Sequence, residues 1–364
     1  MKKMKRSEVQ REKLSPMMQQ YMEIKDKYED SIIFFRLGDF YEMFFEDAII
    51  ASRVLELTLT GKQAGLEERV PMCGVPHHAY ASYVDDLIEK GYKVAICEQL
   101  EDPKETKGMV KRDVIQVITK GTRIDENIDS KSNNYIANIY NFDYCYGISF
   151  ADISTGEVYA MLIEGEKDKV IKEVTKYGFK EVIVNDSINR EIIEILRTNY
   201  NVLVTITKEE LDDKNYEYIY KDIEDIRIVS TLKHLLYYII DTKKGDLHHL
   251  QKCRVIKNSE FLEFDNNTKK NLELTETLRN RERQYSLLWL LDKNKTAMGS
   301  RYLKHNIENP LTSREDIERR YHMVEKLSTE FILRDDLIKE LGNVYDLERL
   351  AGRITYGNLN AKDL

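Results

Sequence analysis

The sequence predicts an α/β protein in three parts: a small mixed α/β domain, a second α/β domain and the beginning of an all-α region. Three observations predict it. Short apolar runs bounded by Gly, Pro and polar clusters recur through the first 264 residues. They alternate with stretches whose apolar residues repeat at three and four, the spacing of one helix face. From about Asp265 only the helical spacing remains. The polar stretch Asp125 to Asn134 is the best linker, which divides the chain into 1–124, a linker at 125–134, 135–260 and 261–364.

The elements follow in order. Residues 1–14 are charged and read as a loose arm. Ser15 followed by Pro16 reads as an N-cap with proline at the first helical position, and Met17, Tyr21, Ile24 and Tyr28 mark one face of the helix. Ser31 to Leu37 is an apolar run ending at Gly38, a buried strand. Glu46 and Asp47 open a helix through Leu55, with acids at its positive end. Tyr83 to Lys90 reads as a helix stopped by Gly91, and Tyr92 to Cys97 and Val114 to Thr119 as strands. In the second domain Tyr144 to Ala151 and Glu157 to Ile163 read as strands joined by a turn at Ser154-Thr155-Gly156. Lys167 to Tyr177 reads as a helix and Glu181 to Val184 as a strand; helices marked by Ile188 to Leu196 and Ile228 to Ile239 follow. Beyond Asp265, Ile317, Tyr321 and Val324, then Leu337, Leu341 and Val344, continue the helical spacing.

A chain of 364 residues suits two or three domains at roughly 100–200 residues each. With 42% hydrophobic and 33% charged residues it has the means to bury cores and lacks the signature of disorder. No apolar run approaches the ~20 residues of a membrane helix, and the basic N-terminus leads into polar residues rather than a signal-peptide core. Four cysteines without a CxxC pair suit a reducing compartment, so a cytoplasmic protein is expected. The net charge of −8 argues against nucleic acid until its distribution is read. Residues 124–264 carry 26 acidic against 18 basic side chains, while the regions on either side are nearly neutral and free to offer local basic surface.

The most informative stretch is Gly38-Asp39-Phe40-Tyr41-Glu42-Met43-Phe44. In extended backbone, residues two apart share a face, so Phe40 and Glu42 project together and Tyr41 and Met43 point the other way. An aromatic ring beside a single acceptor is suited to reading a distorted duplex. The ring enters a base step and kinks the helix, and the carboxyl bonds the displaced base. Phosphate charge nearby favours the protonated acid, which can donate to a base nitrogen. The alternative is an ordinary core aromatic next to a surface acid, and spacing alone leaves it open.

The motif does not stand by itself. Leu14-Ser15-Pro16-Met17-Met18-Gln19-Gln20-Tyr21, Gly38-Asp39-Phe40-Tyr41-Glu42, Pro71 to Ala79 (PMCGVPHHA) and Val94 to Gln99 (VAICEQ) with Asp102-Pro103 occur in series. Asn271 to Leu274 (NLEL), Thr296 to Arg301 (TAMGSR), Asn309-Pro310-Leu311 and Asp346 to Leu350 (DLERL) continue it. In that order, over nearly the whole chain, these blocks resemble the bacterial MutS family of mismatch-recognition proteins. The resemblance implies a mismatch-binding domain, a connector of ribonuclease H-like fold and the start of a helical core. It implies that Phe40 is the stacking wedge and Glu42 the base contact, with Gly38 and Tyr41 supporting them. It implies mismatched duplex DNA and a MutL-type protein as partners, the latter at the connector, and a homodimer for the full-length protein, with these residues alone monomeric. Glu29 and Lys120 replace prolines frequent in the family, at loop positions. The family's phosphate-binding loop, GxxxxGK[ST], does not occur in these residues. ATP and Mg2+ are therefore implied for an ATPase part outside them, and neither a cofactor nor catalysis is expected within.

Other constellations carry less. Cys73, His77, His78 and Cys97 have no zinc-site spacing and read as packing and turn residues. Asp152, with Asp186 as a partner, would suit a two-metal nuclease, but a third acid is lacking and a turn-capping aspartate is favoured. Lys104, Lys107, Lys111 and Arg112 cluster around Gly108 and would suit phosphate contact, or equally a solvated loop. Arg279, Arg281 and Arg283 read as a solvated helix face.

Overall fold

The computed structural model describes residues 5–101, 108–123, 129–257, 261–262, 264 and 266–355. It divides into two compact units, Met1–Thr122 with Ile239–Gly245 and Arg123–Tyr238 with Asp246–Leu364.

In the first unit, helix α1 (Pro16–Lys27) starts with proline at its first turn after Ser15 and buries Met18, Tyr21, Met22 and Ile24. Strand β1 (Ser31–Leu37) opens with five consecutive buried residues, because it runs through the middle of a six-stranded sheet. The sheet has the order β3 (Thr60–Lys62), β4 (Val70–Pro76), β2 (Phe40–Phe44), β1, β5 (Lys93–Gln99), β6 (Arg112–Ile118). Only the β1–β5 pair is parallel, so the sheet is mixed. Helix α1 covers one face, where Tyr21 meets Phe35 and Phe44 edge-on at 5.6 and 5.0 Å between ring centroids. Helices α2 (Phe45–Val54) and α3 (Tyr80–Glu89) cover the other, over Phe34, Met43 and Val94. A buried polar knot fixes α1 to α2: Lys25 Nζ lies 2.9 Å from Asp47 Oδ1, while Tyr21 Oη and the Ile33 amide donate to Asp47 Oδ2 at 3.2 and 3.0 Å. Each buried charge is thus paired and hydrogen-bonded, as burial demands.

The second unit begins with an antiparallel meander of β7 (Tyr135–Asn141), β8 (Cys145–Asp152) and β9 (Glu157–Glu164). Strand β10 (Glu181–Val184) adds parallel to β7, β11 (Leu203–Ile206) parallel to β10, and β12 (Arg254–Val255) parallel to β9. The result is a mixed six-stranded sheet of order β11-β10-β7-β8-β9-β12. Helices α4 (Lys167–Tyr177) and α5 (Arg190–Tyr200) cover one face through Val170, Val174, Ile192 and Leu196. Helix α6 (Ile226–Lys243) takes the other face, and its approach explains Gly147. A Cβ there would stand 2.0 Å from Thr231 Oγ1, so only glycine lets the helix seat. The Thr231 carbonyl then accepts from Asn138 Nδ2 and Ser149 Oγ at 2.9 and 3.0 Å.

The rest of this unit is helical: α7 (Asn266–Asn271), α8 (Leu287–Leu291), α9 (Ala297–Glu308), α10 (Arg314–Thr329), α11 (Phe331–Leu341) and α12 (Leu347–Thr355). Arg301 of α9 is buried and bidentate to Asp346, at 2.7 and 2.8 Å, with Glu348 as a third contact at 2.5 Å. The helical spacing read beyond Asp265 falls on α10 and α11, neither of which holds a fully buried residue. One expectation is corrected. Arg279, Arg281 and Arg283 lie in the irregular segment between α7 and α8 rather than on a helix; Arg281 takes φ +54°, and Arg283 pairs with Asp292. No helix among the described residues is long and apolar enough to cross a membrane.

Candidate nucleic-acid interface

Strands β1 and β2 form a hairpin whose two-residue turn is Gly38-Asp39. Gly38 takes φ +57°, a left-handed conformation that glycine adopts without a steric penalty. The turn is tied down on both sides. Arg36 Nε donates to the Gly38 carbonyl at 2.5 Å, and the His77 amide donates to the Asp39 carbonyl at 2.8 Å. The next residue is Phe40, paired with Leu37 across the hairpin and with Pro76 of β4.

The alternation along β2 is the one extended backbone imposes. Tyr41 and Met43 are buried in the α2–α3 face, with Tyr41 at 5.1 Å from Tyr80. The Tyr41 hydroxyl donates to Glu98; burial, then that carboxylate, pushes the phenol above its ordinary range, so it stays protonated and fixed. Phe40, Glu42 and Phe44 share the opposite face but differ in depth. Phe44 is fully buried under α1, Glu42 is half-buried, and Phe40 is 47% exposed at the strand end. Phe40 is thus a large aromatic with half its surface in water, beside a turn held by two hydrogen bonds, and it belongs to none of the three core clusters formed by the described residues.

Glu42 is opposed by Phe35 on β1 and Gly74 on β4. A Cβ at Gly74 would lie 3.1 Å from the Tyr41 carbonyl oxygen and 3.4 Å from Glu42 Cγ, so the glycine keeps open the space beside the carboxylate. Lys62 reaches into this region from the edge strand β3. Its ammonium sits 5.8 Å from the centroid of the Phe44 ring and forms an ion pair with Glu42. Neither Lys62 nor the space at Gly74 was visible in the sequence. Lys62 stands 20 positions from Glu42 and three strands form before they meet.

The basic cluster fares unevenly. Lys104 and Lys107 lie outside the described residues. Lys111 is exposed at the start of β6. Arg112 corrects the expectation of a phosphate contact: it is 8% exposed, and its guanidinium donates to the Arg36 and Val110 carbonyls and to Gln20. It also lies 5.2 Å from the Phe35 ring, packing against the α1 face. Its alternating position on β6 turned it inward.

The rival constellations disperse. Cys73 and Cys97 are buried, and burial pushes both thiols up to about 12, far from the thiolate that binds metals. His77 and His78 stand on the surface beyond β4. Asp152 is buried and satisfied: Oδ1 accepts from the Ser154 amide and hydroxyl, and Oδ2 from Asn133 Nδ2 and the Asn134 amide. That is a turn cap. Asp186 instead pairs with Lys208 on the surface at 2.9 Å. No metal-binding cluster of His, Cys, Asp and Glu occurs among the described residues.

Against known proteins, residues 15–127 match the model of MutS domain I, residues 134–251 that of MutS domain II and residues 267–364 that of MutS domain III. A DNA mismatch repair protein MutS of Listeria welshimeri is 47% identical over 352 residues, covering 96% of this chain and 41% of its own length. That of Listeria monocytogenes serovar 1/2a is equally similar, and that of Bacillus cereus is 45% identical over 352 residues, covering 96% of this chain and 40% of its own. The chain thus spans about two-fifths of the length of the curated relatives it matches.

Proposed function

The chain belongs to the MutS family, and from that membership we propose that it serves DNA mismatch repair as the mismatch-reading part of the molecule. The observation that carries the reading is the exposed Phe40, on the same strand face as Glu42 and at the tip of an anchored hairpin. Phe40 enters the duplex beside a mispair and partly unstacks it. A mispaired step costs less to unstack and bend than a paired one, so a wedge selects it by deformability without a base code. Glu42 takes up the hydrogen bond of the displaced base; a carboxylate so near phosphates must gain a specific bond to offset the repulsion. Lys111 contributes phosphate contact, which positions the protein without reading sequence. Gly38 and Tyr41 hold the hairpin.

The same membership extends the proposal to partners. The acidic connector receives a MutL-type protein, because its charge disfavours phosphate and suits a basic protein surface. ATP, Mg2+ and homodimer contacts are assigned to the remaining three-fifths of the relatives' length.

A duplex carrying 2-aminopurine beside a mispair tests the wedge directly. Titration with the chain raises the probe's fluorescence as the step unstacks, and Phe40→Ala abolishes the rise. An undiminished rise with Phe40→Ala overturns the reading.

A further inference from the structure

Within the second unit a cavity of about 370 Å³ opens between the connector sheet and the helices that follow it. Its volume falls at the small end of the ~300–1,000 Å³ typical of small-molecule sites. Two kinds of side chain line the cavity. One is aromatic, formed by Tyr135, Tyr159 and Tyr177, the last backed by Phe179 in a stack of 5.6 Å. The other is cationic. Among its charged lining residues, Lys269 is paired with Glu308, and Arg301 is consumed by Asp346 and Glu348. Lys176 is held by Glu173, which leaves Lys180, Lys270 and Lys304 without a carboxylate at ion-pair distance among the described residues, and Glu276 as the remaining acid of the lining. Lys176 pairs with Glu173 at 3.9 Å, and its ammonium lies 5.3 Å from the Tyr177 ring. Lys180 and Lys270 form no ion pair among the described residues.

Burial holds the His305 imidazole below its ordinary range, with Glu308 opposing and Lys176, Arg254 and Arg320 adding to the effect. Lysines that line a cavity without a carboxylate at ion-pair distance gain from an anion that enters it. The aromatic wall adds a requirement for a flat ring, since nucleobases stack on such side chains whatever their identity.

We propose that this cavity binds a nucleoside monophosphate, its base against Tyr177 and its phosphate among Lys176, Lys270 and Lys304. Recognition would rest on lysines rather than on a glycine loop, and it is independent of the mismatch-reading proposal. Because α4 belongs to the connector and α7 and α9 to the helical part, an occupant would tie the two together.

Calorimetry on the whole chain tests it, with adenosine 5′-monophosphate as the probe and adenosine and inorganic phosphate as separate arms. The nucleotide binds, and each half alone binds at least about tenfold more weakly. The Lys270→Glu and Lys304→Glu double variant, at solvent-accessible positions, loses at least about tenfold in affinity with an unchanged melting temperature. In nuclear magnetic resonance titrations the bound phosphate moves the His305 midpoint upward. Absence of nucleotide binding at millimolar concentration overturns the proposal, as does binding that the double variant leaves intact. Equal affinity for inorganic phosphate overturns the nucleoside half and reduces the cavity to an anion trap.

Discussion

The Glu42 carboxylate is joined to the Lys62 ammonium across the face of β4, over the space that Gly74 leaves open. The residue proposed to read the base therefore carries its own counter-ion. The pair sets two opposite expectations. Glu42→Ala removes negative charge beside the phosphates and releases Lys62 to them, so affinity for matched duplex holds or rises while preference for a mispair shrinks. Lys62→Ala leaves the carboxylate unpaired against the phosphates, so affinity for matched duplex falls. Binding isotherms for both single variants and the double variant form a cycle. Strict additivity in that cycle would show that the two side chains do not act on DNA together.

Phe40 and Phe44 lie on the same strand and the same face but at opposite depths, 47% and 0% exposed. Phe40→Ala should leave the melting temperature nearly unchanged and remove a stacking contact worth ~1–3 kcal/mol by analogy with bases on single-strand platforms. Phe44→Ala should cost ~3–5 kcal/mol of stability through the cavity it opens beneath α1. Thermal melts beside mismatch and matched-duplex affinities separate the two. A large loss of stability for Phe40→Ala with an unchanged affinity ratio would make Phe40 a packing residue.

What the sequence revealed of this region follows from how local each signal is. β1, α4 and β10 have the bounds read from sequence, because each is a dense apolar or amphipathic segment with its stop signal beside it. β4 escaped because VPMCGVP holds two prolines and a glycine, punctuation that reads as loop. Yet it is the strand that opposes both Phe40 and Glu42. β7 was hidden at the end of a polar stretch, and β11 is four residues at a sheet edge. The Phe40–Glu42 pair was legible because period-two alternation is local. Lys62 was not, since its place beside Glu42 depends on the register of β2, β4 and β3. Arg112 looked basic and free on a glycine-containing segment, but strand pairing with β5 turned it into the core.

The proposed homodimer contacts, assigned to length outside this chain, give an expectation for the chain by itself. It should sediment as a monomer and hold mismatched DNA weakly, because loss of a linked second contact forfeits ~10²–10⁴ in effective affinity. Residues 124–264 on their own should retain a MutL-type protein in a pull-down and leave DNA in the supernatant. Nanomolar, mismatch-selective binding by a monomer in the ultracentrifuge contradicts the first expectation, and retention of DNA without the protein partner contradicts the second.

The buried Arg301 clamp makes the final prediction, on stability and its dependence on pH. Arg301 is bidentate to Asp346, whose side chain is 15% exposed. Burial opposes ionisation of Asp346, but the hydrogen bonds and charge of Arg301 outweigh it and hold the carboxyl below its ordinary range. The unfolded carboxyl titrates near ~3.9. A carboxyl depressed by folding contributes stability that is fully present above the unfolded value and is lost as pH falls through the folded one. Arg301→Ala strands two carboxylates around an emptied site and should cost ~3–5 kcal/mol at neutral pH. The gap between the native chain and the variant should narrow as the pH drops below about 4, because protonated Asp346 no longer needs its cation. Urea unfolding of both proteins at pH 7 and pH 3 measures the gap. A difference that is the same at both values would show that Arg301 acts through packing alone.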